Sequence, residues 1–197
     1  MKKIVQEVYS SNEIKKSIFL GFLLPYTNFV TKMQKLKDEH PKAVHFVYAY
    51  RIYEDGKVVE RFSDDGEPKG SSGMPVLNVL RGRDLVDCAA IVVRYFGGTL
   101  LGVGGLVRAY TQSVVDCIKE AEKSLLLDEF LLEESCEICC QYTLLGKVEY
   151  LAKKLALRME KKTFEADGVV IVLMGERKGL DIFRQEFSTM QFNLKGE

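Results

Sequence analysis

Two neighbouring stretches hold most of the residues that could do chemistry: SDDGEPKGSSGMP from Ser63, and RYFGGTLLGVGGLVR from Arg94. The second places five glycines (Gly97, Gly98, Gly102, Gly104 and Gly105) within nine residues, between an apolar run and an amphipathic one. Glycine loses the most backbone freedom on folding, so such a cluster implies left-handed torsions or close approach by another group. A glycine turn that leads from a strand into a helix presents backbone N–H groups and the positive end of the helix dipole, which suits an anion such as phosphate. A tight crossover that needs glycine only for packing fits the same letters, and neither a GxxxxGK[ST] loop nor a complete dinucleotide fingerprint is present.

Arg94 and Arg108 flank the glycines, and Tyr95 and Phe96 stand at the strand end. A guanidinium fork matches phosphate and an aromatic ring can stack on a base. Arg94 could equally pair with Asp64, Asp65 or Glu67. The carboxylates of SDDGEP could hold magnesium beside bound phosphate, or form an Asp-Gly turn before Pro68; the turn is the favoured reading.

The remaining candidates are weaker. Cys136 and Cys139 form one CxxC, but zinc needs a second ligand pair, and in a strand positions three apart face opposite ways. Of the two histidines, His45 could be a lone base, but a surface or core-lining role suits it better. No nucleophile with a partner base stands out, so no catalytic residue, metal or cofactor is assigned.

Several elements must position these residues. The opening reads as two short strands joined by Ser10, Ser11 and Asn12. TNFVTKMQKLKDEHP puts Phe29, Met33 and Leu36 on one helical face, with Thr27 or Asn28 as cap and Pro41 as stop. AVHFVYAYRIY and VVERFS form a hairpin around Asp55 and Gly56. PVLNVLRG is a short helix, with Pro75 in its first turn and Gly82 past its end. VDCAAIVVRYF, apolar through its middle, is a strand buried on both faces. After the glycines, Leu106, Ala109 or Tyr110, Val114, Cys117 or Ile118, and Ala121 recur at helical spacing. From LLLDEFLLEES onward the order is strand, helix, strand, strand, helix, with a last short strand at QFNLK. This βαββαβ order is that of a ferredoxin-like split βαβ unit. The expected division is 1–127 and 128–197, in an α+β fold.

With 197 residues, 28 basic and 28 acidic side chains and 47% hydrophobic content, the chain has the composition of a globular protein and no general positive field. Any contact with nucleic acid must come from a local patch. Five cysteines, an odd number mostly in apolar runs, suit reduced thiols. Ile18–Leu24 is too short to span a bilayer. A cytoplasmic, non-membrane protein is expected.

SDDGEPKGSSGMPVLNVL followed by VVRYFGGTLLGVGGLVRAY closely resembles the paired signature of the IMPACT family, in its bacterial branch. Ile18 after Ser17, and Phe46 and Val47 after His45, depart from the family pattern. The resemblance implies a first domain like the second domain of a small-subunit ribosomal protein, and a second like the ferredoxin-like fifth domain of elongation factor G. It further implies a role in translation regulation. The resulting expectation is a non-enzymatic protein that contacts RNA, the ribosome or a translation-related protein through the 63–73 and 94–108 loops. Its contact residues would be Asp64, Asp65, Gly66, Glu67, Lys69, Gly73, Arg94, Tyr95, Phe96, the five loop glycines and Arg108. A phosphate- or nucleotide-binding enzyme using the glycine loop, and a purely protein-binding regulator, are the alternatives.

Overall fold

The structure, a computed structural model, describes residues 1–194, with side chains to residue 191. It is a mixed α+β fold with three sheets and five helices among the described residues. The chain divides into two compact units, the first Met1–Phe130 and the second beginning at Leu131.

The first unit is built on a five-stranded antiparallel sheet in the order β2 (Val8–Ile14), β3 (Ser17–Pro25), β6 (Cys88–Tyr95), β4 (His45–Glu54), β5 (Lys57–Ser63). The central strand β6 is buried along both faces, as its continuous apolar run predicts. Cys88, Ala90 and Val92 pack toward helices α2 (Gly73–Gly82) and α3 (Val103–Lys123). Ala89, Ile91 and Val93 pack toward α1 (Phe29–Glu39), where Leu36 is buried and Phe29 and Met33 complete the contact. Helix α3 buries Leu106, Ala109, Tyr110, Val114, Cys117, Ile118 and Ala121, the positions that its periodicity marks. A short ribbon of β1 (Lys2–Ile4) and β7 (Leu127–Glu129) joins the two ends of this unit.

One turn falls elsewhere than expected. Ser10, Ser11 and Asn12 lie inside β2, and the hairpin reverses at Lys15 and Lys16, both at positive φ (49° and 65°). Ser10 is held in the strand because its hydroxyl donates to the Ser113 carbonyl of α3 at 2.8 Å. The Asp55–Gly56 turn forms as predicted, with φ of 51° and 79°.

The second unit contains β8 (Glu133–Cys140), α4 (Leu145–Lys154), β9 (Arg158–Glu165), β10 (Gly168–Glu176) and α5 (Arg177–Leu194). Its antiparallel sheet runs β8-β10-β9, and α4 and α5 close one face over Ile138, Val148, Ile171 and Phe183. The last strand expected at QFNLK does not form in the described residues. Gln191–Leu194 continue helix α5, and Lys195 lies outside them. The apolar residues of α5 repeat at helical spacing through Phe187 and Met190, so the helix is extended by its own buried face. Cys136 and Cys140 point inward from β8 and Cys139 outward, which separates the CxxC pair. No helix among the described residues is long and apolar enough to cross a membrane.

Candidate functional site

The two loops meet over the end of β6. Strand β5 delivers Asp64–Glu67, β6 delivers Arg94 and Phe96, and the glycine segment leads into α3. Arg94 and Glu67 are 5% and 8% exposed, and the Arg94 Nη1 donates to Glu67 Oε1 at 2.5 Å. Tyr110, fully buried on α3, donates its hydroxyl to the same carboxylate oxygen at 2.7 Å. Burial, reinforced by the Glu67 carboxylate, pushes the Tyr110 phenol far up, so it remains a donor. Of the two partners open to Arg94, solvent ligand or internal acid, the fold thus supplies the acid. A buried pair of this kind is costly to desolvate and is held by its additional hydrogen bonds.

The neighbouring acids act on backbone. Asp64 Oδ1 accepts from the Ser72 N–H at 3.2 Å, the Ser72 hydroxyl at 2.7 Å and the Gly73 N–H at 2.8 Å, and Oδ2 accepts from the Gly70 N–H at 2.8 Å. Burial alone would raise this carboxyl, but these bonds outweigh it and hold it below the usual carboxylate range. Asp64 therefore ties the loop to the start of α2, a structural role of the kind the turn reading expects. Asp65 Oδ2 accepts from the Phe46 N–H at 2.6 Å, and the Asp65 carbonyl accepts from His45 Nδ1 at 2.7 Å. A carbonyl only accepts, so Nδ1 carries a proton, and in the neutral form of the ring Nε2 is the acceptor nitrogen. That nitrogen lies 3.8 Å from Glu67 Oε1.

The glycines serve different needs. A Cβ on Gly97 would lie 2.1 Å from the Lys16 carbonyl carbon, so the loop presses directly on the β2–β3 turn; its N–H donates to the buried Ser17 hydroxyl at 3.1 Å. Gly98 and Gly102 sit at φ 83° and 71°, in the region that favours glycine. A Cβ on Gly104 would meet nothing within 4 Å. Gly105 lies against Leu101, Gly66 against the His45 ring, and Gly73 against the Ser63 carbonyl.

Between the loops lies a cavity of about 390 Å³. Val44, Pro68, Phe96, Leu100, Val103 and Leu106 wall it, with His45, Glu67 and Arg94 among its lining. Phe96, Leu100 and Val103 are 48%, 83% and 59% exposed. The structure thus gathers Glu67, Arg94, Phe96 and Gly102 at one place, with exposed Lys69 next to Pro68 and exposed Arg108 one turn beyond Gly104 on α3. Tyr95 does not join them. It packs with the α1 side of the sheet, and its hydroxyl bonds to His40 Nδ1 at 2.8 Å, because successive strand residues face opposite ways. His45, Tyr110 and Leu100 belong to the site without having been assigned to it. The buried Tyr110 looks like any core position of α3, while the exposed Leu100 in a glycine-rich loop was a visible signal.

Residues 15–118 match the Impact N-terminal domain. The chain belongs to the IMPACT family. An IMPACT family member of Haemophilus influenzae is 35% identical over 189 residues, covering 92% of this chain and 87% of that protein. The IMPACT family member YigZ of Escherichia coli is 37% identical over 146 residues, covering 71% of this chain and 68% of its own. A crystal structure described as a hypothetical protein superposes with a TM-score of 0.69 at 28% identity, covering 96% of this chain and 91% of that one. The matched family region contains both loops, the cavity and the Arg94–Glu67–Tyr110 cluster.

Proposed function

We propose that this IMPACT family protein is a non-enzymatic binding protein of the translation apparatus, which docks RNA or the ribosome on the surface formed by the 63–73 and 94–108 loops. The observation that carries this reading is that both loops wall one cavity whose rim leaves Phe96 open to stacking. Exposed Lys69 stands on the first loop and exposed Arg108 in the second turn of α3, just after the glycine segment, and each suits a phosphate. The translation setting follows from family resemblance. In the same reading, the first unit has the fold of the ribosomal-protein second domain, and the second is a ferredoxin-like unit whose β8-β10-β9 order agrees with a split βαβ arrangement.

Arg94 holds the loops together in this reading, and phosphate contact falls to Lys69 and Arg108. The test is co-sedimentation with ribosomes and free subunits at two salt concentrations, comparing wild type with the Lys69→Ala, Arg108→Ala double variant. Salt-sensitive binding weakened in the double variant is the expected result. Protein that stays at the top of the gradient at both salts overturns the reading. The exposed Leu100 and Val103 favour a second reading, a translation-related protein partner. That partner would remain bound after nuclease treatment and be lost with Leu100→Ser.

A further inference from the structure

We infer that the cavity between the loops is a nucleobase pocket, and that it selects bases bearing an exocyclic amino group. The inference rests on the proposed RNA-docking reading for its biological setting and on the cavity's chemistry for its content. Its volume of about 390 Å³ lies in the range of small-ligand sites, roughly 300–1,000 Å³. The walls are apolar and one is aromatic: Phe96 is half exposed, and the Arg94 guanidinium carbon lies 5.7 Å from its ring centre. A flat heteroaromatic ring is the ligand shape that a Phe–Arg wall accepts best.

The polar groups sit together at one part of the lining. The Asp65 carbonyl holds a His45 proton on Nδ1, and in the neutral ring Nε2 is then the acceptor. The Glu67 carboxylate is a second acceptor close by. Arg94 also lines the cavity, but its Nη1 is committed to Glu67 and its Nε–H is enclosed away from the opening, so the reachable groups are the two acceptors. Two neighbouring acceptors match an exocyclic amino group, whose two N–H can each meet one of them, and adenine, cytosine and guanine carry such a group. Uracil offers these acceptors a single ring N–H flanked by two carbonyl oxygens, which would face the Glu67 carboxylate, so it fits less well.

The base can come from a free mononucleotide or from an unstacked position in single-stranded RNA. Two titrations separate these sources: AMP, CMP, GMP and UMP by calorimetry, and eight-nucleotide homopolymer RNAs by fluorescence anisotropy at several salt concentrations. Each is run with wild type, His45→Ala, Val103→Trp to fill the mouth, and the Lys69→Ala, Arg108→Ala double variant. Circular dichroism melts show which variants are folded.

The expected result is weaker binding of U-containing ligands than of the others. His45→Ala and Val103→Trp should each lose about tenfold or more with little change in salt slope, whereas the double variant should flatten the slope by roughly 0.7 per charge. Mononucleotide binding sensitive to the two pocket variants, without RNA binding, supports the pocket and removes the RNA reading. RNA binding indifferent to both pocket variants and to base identity overturns the pocket and leaves the RNA reading standing. If neither ligand binds, or only a protein partner's side chain is found in the cavity, the inference is overturned.

Discussion

At the residue scale, Glu67 and Arg94 decide how the site is held. Each is buried, the two pair with one another, and Tyr110 adds a second donor to the same oxygen. Removing one charge strands its partner, so Arg94→Met or Glu67→Gln should each lower unfolding free energy by about 3–5 kcal/mol in urea titrations. The double variant should cost much less than the sum, since the two residues form one interaction. Additive losses would show that the pair is not coupled. Asp64 gives a prediction with a pH axis. Its native carboxyl is held below the ordinary value by hydrogen bonds from Gly70, Ser72 and Gly73. The stability it contributes is therefore fully present above the unfolded value, about 3.9, and is lost as pH falls through the lower native value. Asp64→Ala should cost about 2–3 kcal/mol at neutral pH, and its deficit relative to wild type should shrink in melts below about pH 4.

At the element scale, the glycine segment is a joint. Gly97 lets the strand end lie against the β2–β3 turn, and Gly98 and Gly102 supply the left-handed torsions that swing the chain into α3. Gly104 is different: it stands in the first turn of α3 with open space where its side chain would be. Gly97→Ala should lower the melting temperature sharply, because the added carbon meets backbone that has little room to move. Gly104→Ala should be neutral or stabilising by up to about 1 kcal/mol, the helix-propensity difference. A thermal melt of the pair decides this, and a large loss at Gly104 would mean that the first turn of α3 is not helical in solution. The same joint explains the Lys15–Lys16 turn. Sequence signals favoured the turn formers Ser10, Ser11 and Asn12, yet the turn falls on two lysines at positive φ, which is uncommon. The deciding contacts are the Ser10 hydroxyl on Ser113 and Gly97 on Lys16, which are remote in sequence.

At the scale of the whole molecule, each unit has its own buried core, and the cysteines report on both. Cys88 and Cys117 lie in the first core, where burial pushes their thiols up to about 12 and about 11. Cys136 and Cys140 lie in the second core, and Cys139 is exposed. A thiol reagent added to native protein near pH 8 should therefore modify Cys139 first, with the other four reacting only as the units open. Two or more fast thiols would contradict the packing of β8. Much of this architecture was legible in the chain itself. The α3 stripe from Leu106 to Ala121, the doubly buried β6 and the Asp55–Gly56 hairpin are local periodicities and turn chemistries, readable because adjacent residues enforce them. The two loops stood out as candidates through their glycines, carboxylates and aromatics, which are equally local signals. Tertiary structure alone decided that Arg94 is spent on Glu67 while Lys69 and Arg108 stay exposed, that Tyr95 and Phe96 part to opposite sides, and that His45 enters the cavity. These outcomes depend on partners brought together across the sheet, and no spacing along the chain encodes which of several acids an arginine will meet.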